Sequence, residues 1–358
     1  EFGRKRRINQ STCNKDYSCV KGFCPSFVTV EGGQLKKPKK DKKGDLSALP
    51  NIPEPVLPVA DVAWGIVVAG VGGTGVITIG SLLGMAAHLE GKGVITQDAA
   101  GLAQKGGATW SHIQIANRPD AIYTTKVDTA KADLVIGCDA IVAANKATLA
   151  VLQPGRTFVA LNTHRTPTAS FVNNPNWQFP DAHCDTAITS ALGEGSVGSF
   201  DAEQVATQLL GDSIYTNPLL LGYAWQKGRV PLTLASLMRA MELNGVQVEN
   251  NKAAFEWGRR CAHDLPAVQA LFQAAQVIQF VKKPALADMI AKRVDFLTGY
   301  QNAAYAADYQ AFVQKVQAAE AQLGTTTRLT EAVARYLFKL MAYKDEYEVA
   351  RLHTDKAF

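Results

Sequence analysis

The sequence predicts an α/β fold: a mostly parallel sheet with helices on both faces, preceded by a basic, Cys-containing arm and followed by a helical extension. Three observations carry this expectation. Between Trp64 and about Leu265, short runs rich in β-branched residues alternate with amphipathic stretches. A glycine cluster, AGVGGTG (69–75), stands between the first such run and the first amphipathic stretch. Beyond Leu265 only helical spacing remains.

In chain order, WGIVVAG (64–70) is a continuously apolar run of the kind buried on both faces of a sheet. From Val76 to Leu89, Ile79, Leu82, Leu83 and Ala86 recur at helical spacing, and Gly91 and Gly93 stop the pattern. VITQD (94–98) and ADLVIGCD (132–139) are further strands. The second leads into an Ala-rich helix, 140–152, and then the strand RTFVALNT (156–163). Strand–helix–strand order implies parallel pairing with right-handed crossovers. TWSHIQIA (109–116) alternates more and is read as an antiparallel edge. GEGSVG (193–198) follows no strand and is read as a loop before a helix at Ser199.

The chain has 358 residues, 47% apolar and 19% charged, which is ample for a sizeable core and excludes a wholly disordered protein. No apolar run approaches the roughly 20 residues that span a bilayer, and the basic start has no apolar stretch behind it. A cytoplasmic protein is expected. The first residue is not Met and falls inside a polar segment, which suggests a fragment. Residues 1–45 hold 12 Lys+Arg and five Asp+Glu, whereas the rest hold 25 and 27. The positive charge therefore belongs to an arm rather than to a folded face, which argues against nucleic acid.

Four stretches follow: residues 1–33, with half of the six cysteines; a Lys/Pro-rich linker, 34–60; the α/β domain, 61–265; and a helical domain, 266–358. In the last, Val333, Leu337, Leu340, Met341 and Tyr347 are read as one apolar stripe on a helix within 329–352. If that domain is incomplete, the helix should be loosely packed, with faster amide exchange than 64–75.

Three segments carry chemistry. In AGVGGTG, Gly70, Gly72, Gly73, Thr74 and Gly75 allow a tight turn and an anion site at the helix start that follows. Asp98, at the end of the next strand, stands where a ribose hydroxyl is gripped in dinucleotide sites. Dinucleotide binding, another phosphate ligand and mere close packing remain open. In AQKGGATWSH (103–112), Lys105 beside Gly106 and Gly107 could meet a phosphate or carboxylate, or be a solvated turn. In CNKDYSCVKGFCP (13–25), Cys13, Cys19 and Cys24 have polar neighbours unsuited to a core. An iron–sulfur cluster, zinc and unligated thiols remain open, and either metal needs a fourth ligand that does not lie nearby. Cys138 and Cys261 read as small apolar filler. His183 and Cys184, being adjacent, face apart.

RKRRINQSTCNKDYSCVKGFCPSFVTVEGG (4–33) resembles the junction found in the long, fused indolepyruvate:ferredoxin oxidoreductases of the 2-oxoacid:ferredoxin oxidoreductase family. AGVGGTGVITIGSLLGMAAHLEGKG and DAAGLAQKGGATWSHIQIA resemble the opening of that family's gamma-type domain. Residues 219–260 are similar to its end. The resemblance implies a Rossmann-like domain that is not a nicotinamide site. It implies oxidative decarboxylation of an aryl 2-oxo acid, with the acyl group passed to coenzyme A and electrons passed through [4Fe–4S] clusters to ferredoxin. Thiamine diphosphate and Mg would be held by domains preceding this piece, and the parent would be a homodimer. Cys13, Cys19 and Cys24 would ligate a cluster. Gly70, Gly72, Gly73, Thr74, Gly75, Lys105, Gly106 and Gly107 would contact the pyrophosphate of coenzyme A or close over the thiamine site. No catalytic residue would lie in this piece. The rival readings are a nicotinamide-dependent dehydrogenase with a zinc-binding tail and a non-catalytic docking module for ferredoxin.

Overall fold

The computed structural model describes residues 49–101, 107–168, 176–193, 195–272, 285–324 and 326–354, together with 9, 13, 16–21, 31, 32, 46, 173 and 174. The chain divides into two compact units, one of residues 1–15 and 36–275, the other of residues 16–35 and 276–358.

The first unit is built on a six-stranded sheet. Its strands are β1 (Trp64–Val71), β2 (Gly93–Ala100), β3 (Ala108–Ala116), β4 (Leu134–Gly137), β5 (Phe158–Asn162) and β6 (Val197–Phe200), in the order β2-β3-β1-β4-β5-β6. β1, β4, β5 and β6 are mutually parallel, and β3 runs antiparallel to both β1 and β2. β1 alternates between two cores. Ile66 and Val68 join one with α1 (Val76–Leu89), while Val67 joins the other with Val135 and Val159. Burial on both faces is why β1 reads as an unbroken apolar run.

Three local expectations need correction. TWSHIQIA is antiparallel but interior, because β2 adds outside it. Its alternation reflects thin cover on one face, where Trp110 Nε1 donates to Thr148 Oγ1 at 2.8 Å and Gln114 donates to Thr124. The Ala-rich stretch is not one helix but two turns, α2 (Ala140–Ala143) and α3 (Lys146–Leu149). Asp139 caps the first and Asn145, accepting from Ala147 N at 3.1 Å, restarts the second. After α4 (Asp181–Leu192), residues 197–200 form β6 and not the loop and helix start expected there. The next helix, α5 (Ala202–Leu210), begins behind Asp201, which accepts from Gln204 N at 2.8 Å. Gly198 hid this strand: a Cβ there would lie 2.3 Å from the Tyr223 hydroxyl, so only glycine fits beneath that ring.

Helices α6 (Thr216–Gln226), α7 (Leu234–Asn244), α8 (Val248–His263) and α9 (Leu265–Ala270) complete the unit. The end of the Pro-rich stretch is held against it. Arg259, stacked over Trp225, donates to Ile52 O at 3.2 Å, and Gln226 donates to Pro53 O at 2.8 Å. Cys138 and Cys261 are buried, as filler residues are. Burial pushes the Cys261 thiol up to about 12 and the Cys138 thiol higher still.

Glu90 ties the end of α1 to the start of α7. Its carboxylate accepts from Thr233 N at 2.7 Å, Thr233 Oγ1 at 2.9 Å and Ser236 Oγ at 2.5 Å, and pairs with Lys92 at 2.9 Å. Burial opposes the charge, but hydrogen bonds from Ser236, Thr233 and Lys92 outweigh it and hold the carboxyl below its ordinary value of 4.5. A depressed folded-state value means that the unfolded chain binds the proton more tightly. The stabilisation is therefore present above pH ~4.5 and lost as pH falls through the folded value. Urea melts across this range should show a shallower acid loss in Glu90→Gln than in the wild type; parallel slopes would refute the linkage.

The second unit contains α10 (Leu286–Tyr300), α11 (Ala303–Leu323), α12 (Arg328–Met341) and α13 (Glu346–Thr354). The buried line of α12 is Thr330, Ala334 and Phe338. It is not the expected stripe: Leu340 and Tyr347 are 80% and 79% exposed, and the helix breaks before α13. Specific partners decide this. Phe338 meets Phe296 and Tyr309 edge-on, and the Ala334 carbonyl accepts from both buried Arg293 and Tyr309 at 2.8 Å. Glu320 caps α12, accepting from Leu329 N at 2.8 Å and Thr330 N at 2.7 Å. No helix among the described residues is long and apolar enough to cross a membrane.

Candidate anion-binding cleft

A chain leaving a buried strand must turn sharply to enter a helix on the sheet face, and the glycine cluster does this at the carboxyl end of β1. A Cβ at Gly70 would lie 2.8 Å from Val76 Cγ2 and 2.9 Å from Cys138 Cβ, so the turn closes only without one. Gly73 and Gly75 have φ of 79° and 97°, the left-handed region open to glycine. Thr74 Oγ1 donates to Val71 O at 2.7 Å and locks the turn. Gly75 then caps α1, whose first amides have no partner within the helix.

The second glycine loop is joined to the first, since Gly72 N donates to Gly107 O at 2.8 Å. Lys105 and Gly106 lie outside the described residues. Asn217, buried at the start of α6, donates to Thr74 O at 3.0 Å and fixes the turn from the other side. The starts of three helices (α1, α6 and α8) thus line one cleft of about 560 Å³. Gln247, with φ of 45°, caps α8 at its rim. Thr74, Thr78, Thr109, Asn217, Gln247 and Asn251 supply neutral polar groups, and Ile77, Ile214, Pro218 and Val246 an apolar wall.

Among the described residues the lining contains no Asp, Glu, Lys, Arg or His. Its electrostatics, among the described residues, come from backbone: helix starts carry partial positive charge, α1 adds first-turn amides without a partner in the helix, and no described carboxylate in the lining opposes an incoming anion. Asp139, near the turn, is committed to capping α2, and burial raises its pKa. The arrangement suits a ligand with a phosphate at one end and an apolar body at the other.

The ribose-gripping role expected of Asp98 is not realised. The antiparallel β3 stands between β1 and β2, so Asp98 pairs with Ser111 two strands from the turn and does not line the cleft. A second hollow at the end of β5 holds His164, Arg165, Asp181, Asp185 and Asp201, four of which pair with each other. His164 Nδ1 lies 3.2 Å from Asp201, and Arg165 pairs with Asp181 at 2.8 Å. Of the cysteine segment, Cys13 is half-buried and Ser18–Lys21 form a helical turn, whereas Cys24 and the side chain of Cys19 lie outside the described residues. Among the described residues no three His, Cys, Asp or Glu gather as a metal site.

Asn217, Gln247, Asn251, Tyr215 and Thr109 went unnoticed in the sequence. The signal available was TNP (216–218), a polar residue and a Pro at the head of an apolar run, which marks a helix start.

Residues 65–261 match the family described as pyruvate ferredoxin/flavodoxin oxidoreductase, and residues 286–358 a family of unknown function, DUF6537. The indolepyruvate oxidoreductase subunit IorB of Pyrococcus horikoshii is 27% identical over 204 residues, covering 56% of this chain and 97% of the relative. That of Methanothermobacter thermautotrophicus is 30% identical over 183 residues, covering 51% and 87%. Among solved structures, the keto/oxoacid ferredoxin oxidoreductase gamma subunit of Geobacter sulfurreducens is 19% identical, covering 56% of this chain and 98% of its own, with a TM-score of 0.39. The 2-oxoglutarate:ferredoxin oxidoreductase of Magnetococcus marinus, bound to 2-oxoglutarate, coenzyme A and succinyl-CoA, is 17% identical, covering 70% and 41%, with a TM-score of 0.41.

Proposed function

This chain belongs to the pyruvate ferredoxin/flavodoxin oxidoreductase family, and from that premise we propose that it serves an oxidoreductase converting an aryl 2-oxo acid such as indolepyruvate. The overall reaction consumes the 2-oxo acid, coenzyme A and two oxidised ferredoxins. It yields the acyl-CoA, carbon dioxide, a proton and two reduced ferredoxins. Thiamine diphosphate with Mg, held by other domains of a homodimeric assembly, supplies the electron sink for decarboxylation.

The carrying observation is the cleft: three helix starts and neutral polar groups, with no acidic side chain among the described residues, around a glycine turn. In this reading the amides of Gly73–Gly75 and of the first turn of α1 hold the pyrophosphate of coenzyme A, while Gly72 N keeps its bond to Gly107 O. Thr78, Asn217 and Asn251 orient it, and Ile214 and Val246 cover its apolar parts. Lys105, Gly106 and Gly107 approach from the joined loop. The work of this chain is to bind and place the acyl acceptor; it contributes no reacting group. The absence of an acidic group from the described lining and the distant Asp98 weigh against a nicotinamide site.

Cys13, Cys19 and Cys24 provide three thiolates, a donor set suited to a [4Fe–4S] cluster that is completed by a further ligand. Such a cluster would pass single electrons toward ferredoxin.

The test uses the assembled enzyme under anaerobic conditions. Indolepyruvate should reduce ferredoxin only when coenzyme A is present, and NADH should neither bind nor replace it. Joint replacement of Cys13, Cys19 and Cys24 by Ser should remove iron and acid-labile sulfide equivalent to one cluster while coenzyme A still binds. Identical iron content would overturn the ligation assignment, and micromolar NADH binding the whole reading.

A further inference from the structure

Thr109 stands out on the floor of the cleft. It belongs to β3, directly opposite Gly70 on β1 and Ala100 on β2, so it is the one polar side chain in a row otherwise made of a glycine and an alanine. It is 2% exposed, it lines the cleft beside the glycine turn, and its hydroxyl has no hydrogen-bond partner among the described residues.

A buried hydroxyl left unpaired is destabilising relative to one that is bonded. Valine has nearly the same shape and carries no such cost, so Thr109 is unfavourable for folding of the ligand-free chain. No described residue satisfies it, and the cleft that it lines is open to a group from outside the protein. The described lining offers the ligand no charged side chain, so each neutral donor there carries a larger share of the recognition. A ligand oxygen reaches this sealed hydroxyl through a local shift of the glycine turn, which Thr74 and Asn217 hold in the ligand-free chain.

We propose that Thr109 is a specificity-determining residue of the cleft, its hydroxyl donating to a phosphate oxygen of the bound nucleotide. This deepens, and rests on, the assignment of the cleft to coenzyme A. A hydroxyl-to-phosphate bond is charge-assisted and formed in a water-excluded place, so its loss should weaken binding on the order of tenfold or more.

The experiment compares Thr109→Val and Thr109→Ser in the assembled oxidoreductase, with coenzyme A as the probe. Thr109→Val should raise the KM and the calorimetric Kd for coenzyme A about tenfold, leave the KM of the 2-oxo acid in place, and melt at the same temperature or higher. Thr109→Ser, which keeps the hydroxyl, should bind as the wild type does. Should Thr109→Val fold poorly, Thr109→Ala removes the hydroxyl without the second methyl and takes its place. Unchanged coenzyme A affinity in the hydroxyl-free variants overturns the inference, as does equal weakening by Thr109→Ser. Gly75→Ala separates the two levels. If it weakens coenzyme A while Thr109→Val does not, the cleft assignment stands and only the role of Thr109 falls. If neither variant affects coenzyme A, the cleft assignment falls with it.

Discussion

Replacing Gly222 with Ala should cost the α/β unit about 3 kcal/mol or more, at or beyond the upper end of ordinary overpacking. Gly222 on α6 and Gly258 on α8 face each other across a crossing too close for any side chain. A Cβ at Gly222 would fall 2.0 Å from the Phe255 carbonyl oxygen and 2.9 Å from its Cα. One at Gly258 would fall 1.9 Å from the Leu219 carbonyl oxygen and 2.8 Å from Tyr223 N. All of these obstacles are backbone, so no rotamer change relieves them and the helices must separate. Separation would loosen Leu219, Leu220, Trp225, Phe255 and Trp257, all fully buried. Because α6 and α8 both present their first turns to the cleft, ligand binding should fail with the fold. At roughly 2–4 °C per kcal/mol for a unit of this size, Tm should drop by about 6–12 °C or more. Gly245→Ala is the control. Nothing lies within 4 Å of its Cβ, and its φ of +68° limits the penalty to about 1 kcal/mol. Equal losses from the two substitutions would show that backbone conformation, and not the close crossing, sets the cost.

The second large effect is on ligand binding, from Gly75→Ala. A Cβ at Gly75 would lie 3.6 Å from Asn217 Nδ2, an ordinary contact, so sterics alone permit the change. The φ of +97° does not. Alanine there costs about 1–2 kcal/mol and drives the turn toward a conformation that re-aims the first amides of α1. Placement of those amides is the main electrostatic provision among the described residues of the cleft, none of which is ionic. Coenzyme A affinity in the assembled enzyme should therefore fall by tenfold or more, the equivalent of about 1.4 kcal/mol or more, while the Tm loss remains small. A variant that melts early yet binds coenzyme A normally would refute the role given to the turn.

Local chemistry was legible. AGVGGTG announced its turn because a missing side chain is itself a sequence fact, and α1 was bounded at Val76 and Leu89 by period and glycine stops alone. β1 was legible because burial on both faces demands an unbroken apolar run. Where several local preferences were nearly balanced, the reading failed. Asn145 broke a stretch whose composition favoured helix, and Gly198 concealed a strand whose only need for glycine is a tyrosine ring arriving from α6. In α12 an apolar stripe was visible, but aromatic partners and the buried Arg293 chose a different face.

What the amino-acid order determined by itself is the set of parts: an α/β domain opening on a glycine turn, a basic segment bearing three thiols, and a run of amphipathic helices. Their assembly belongs to the tertiary structure. It put β3 between β1 and β2 and so carried Asp98 away from the turn. It brought Asn217 to Thr74 across 143 residues, converged three helix starts on one cleft, and made Gly222 and Gly258 answer each other. The physical reason is range. Turn conformation, helix period and strand burial are set by neighbours within a few residues, whereas a cleft or a close helix crossing exists only between groups that share no local pattern and meet because the same core buries them.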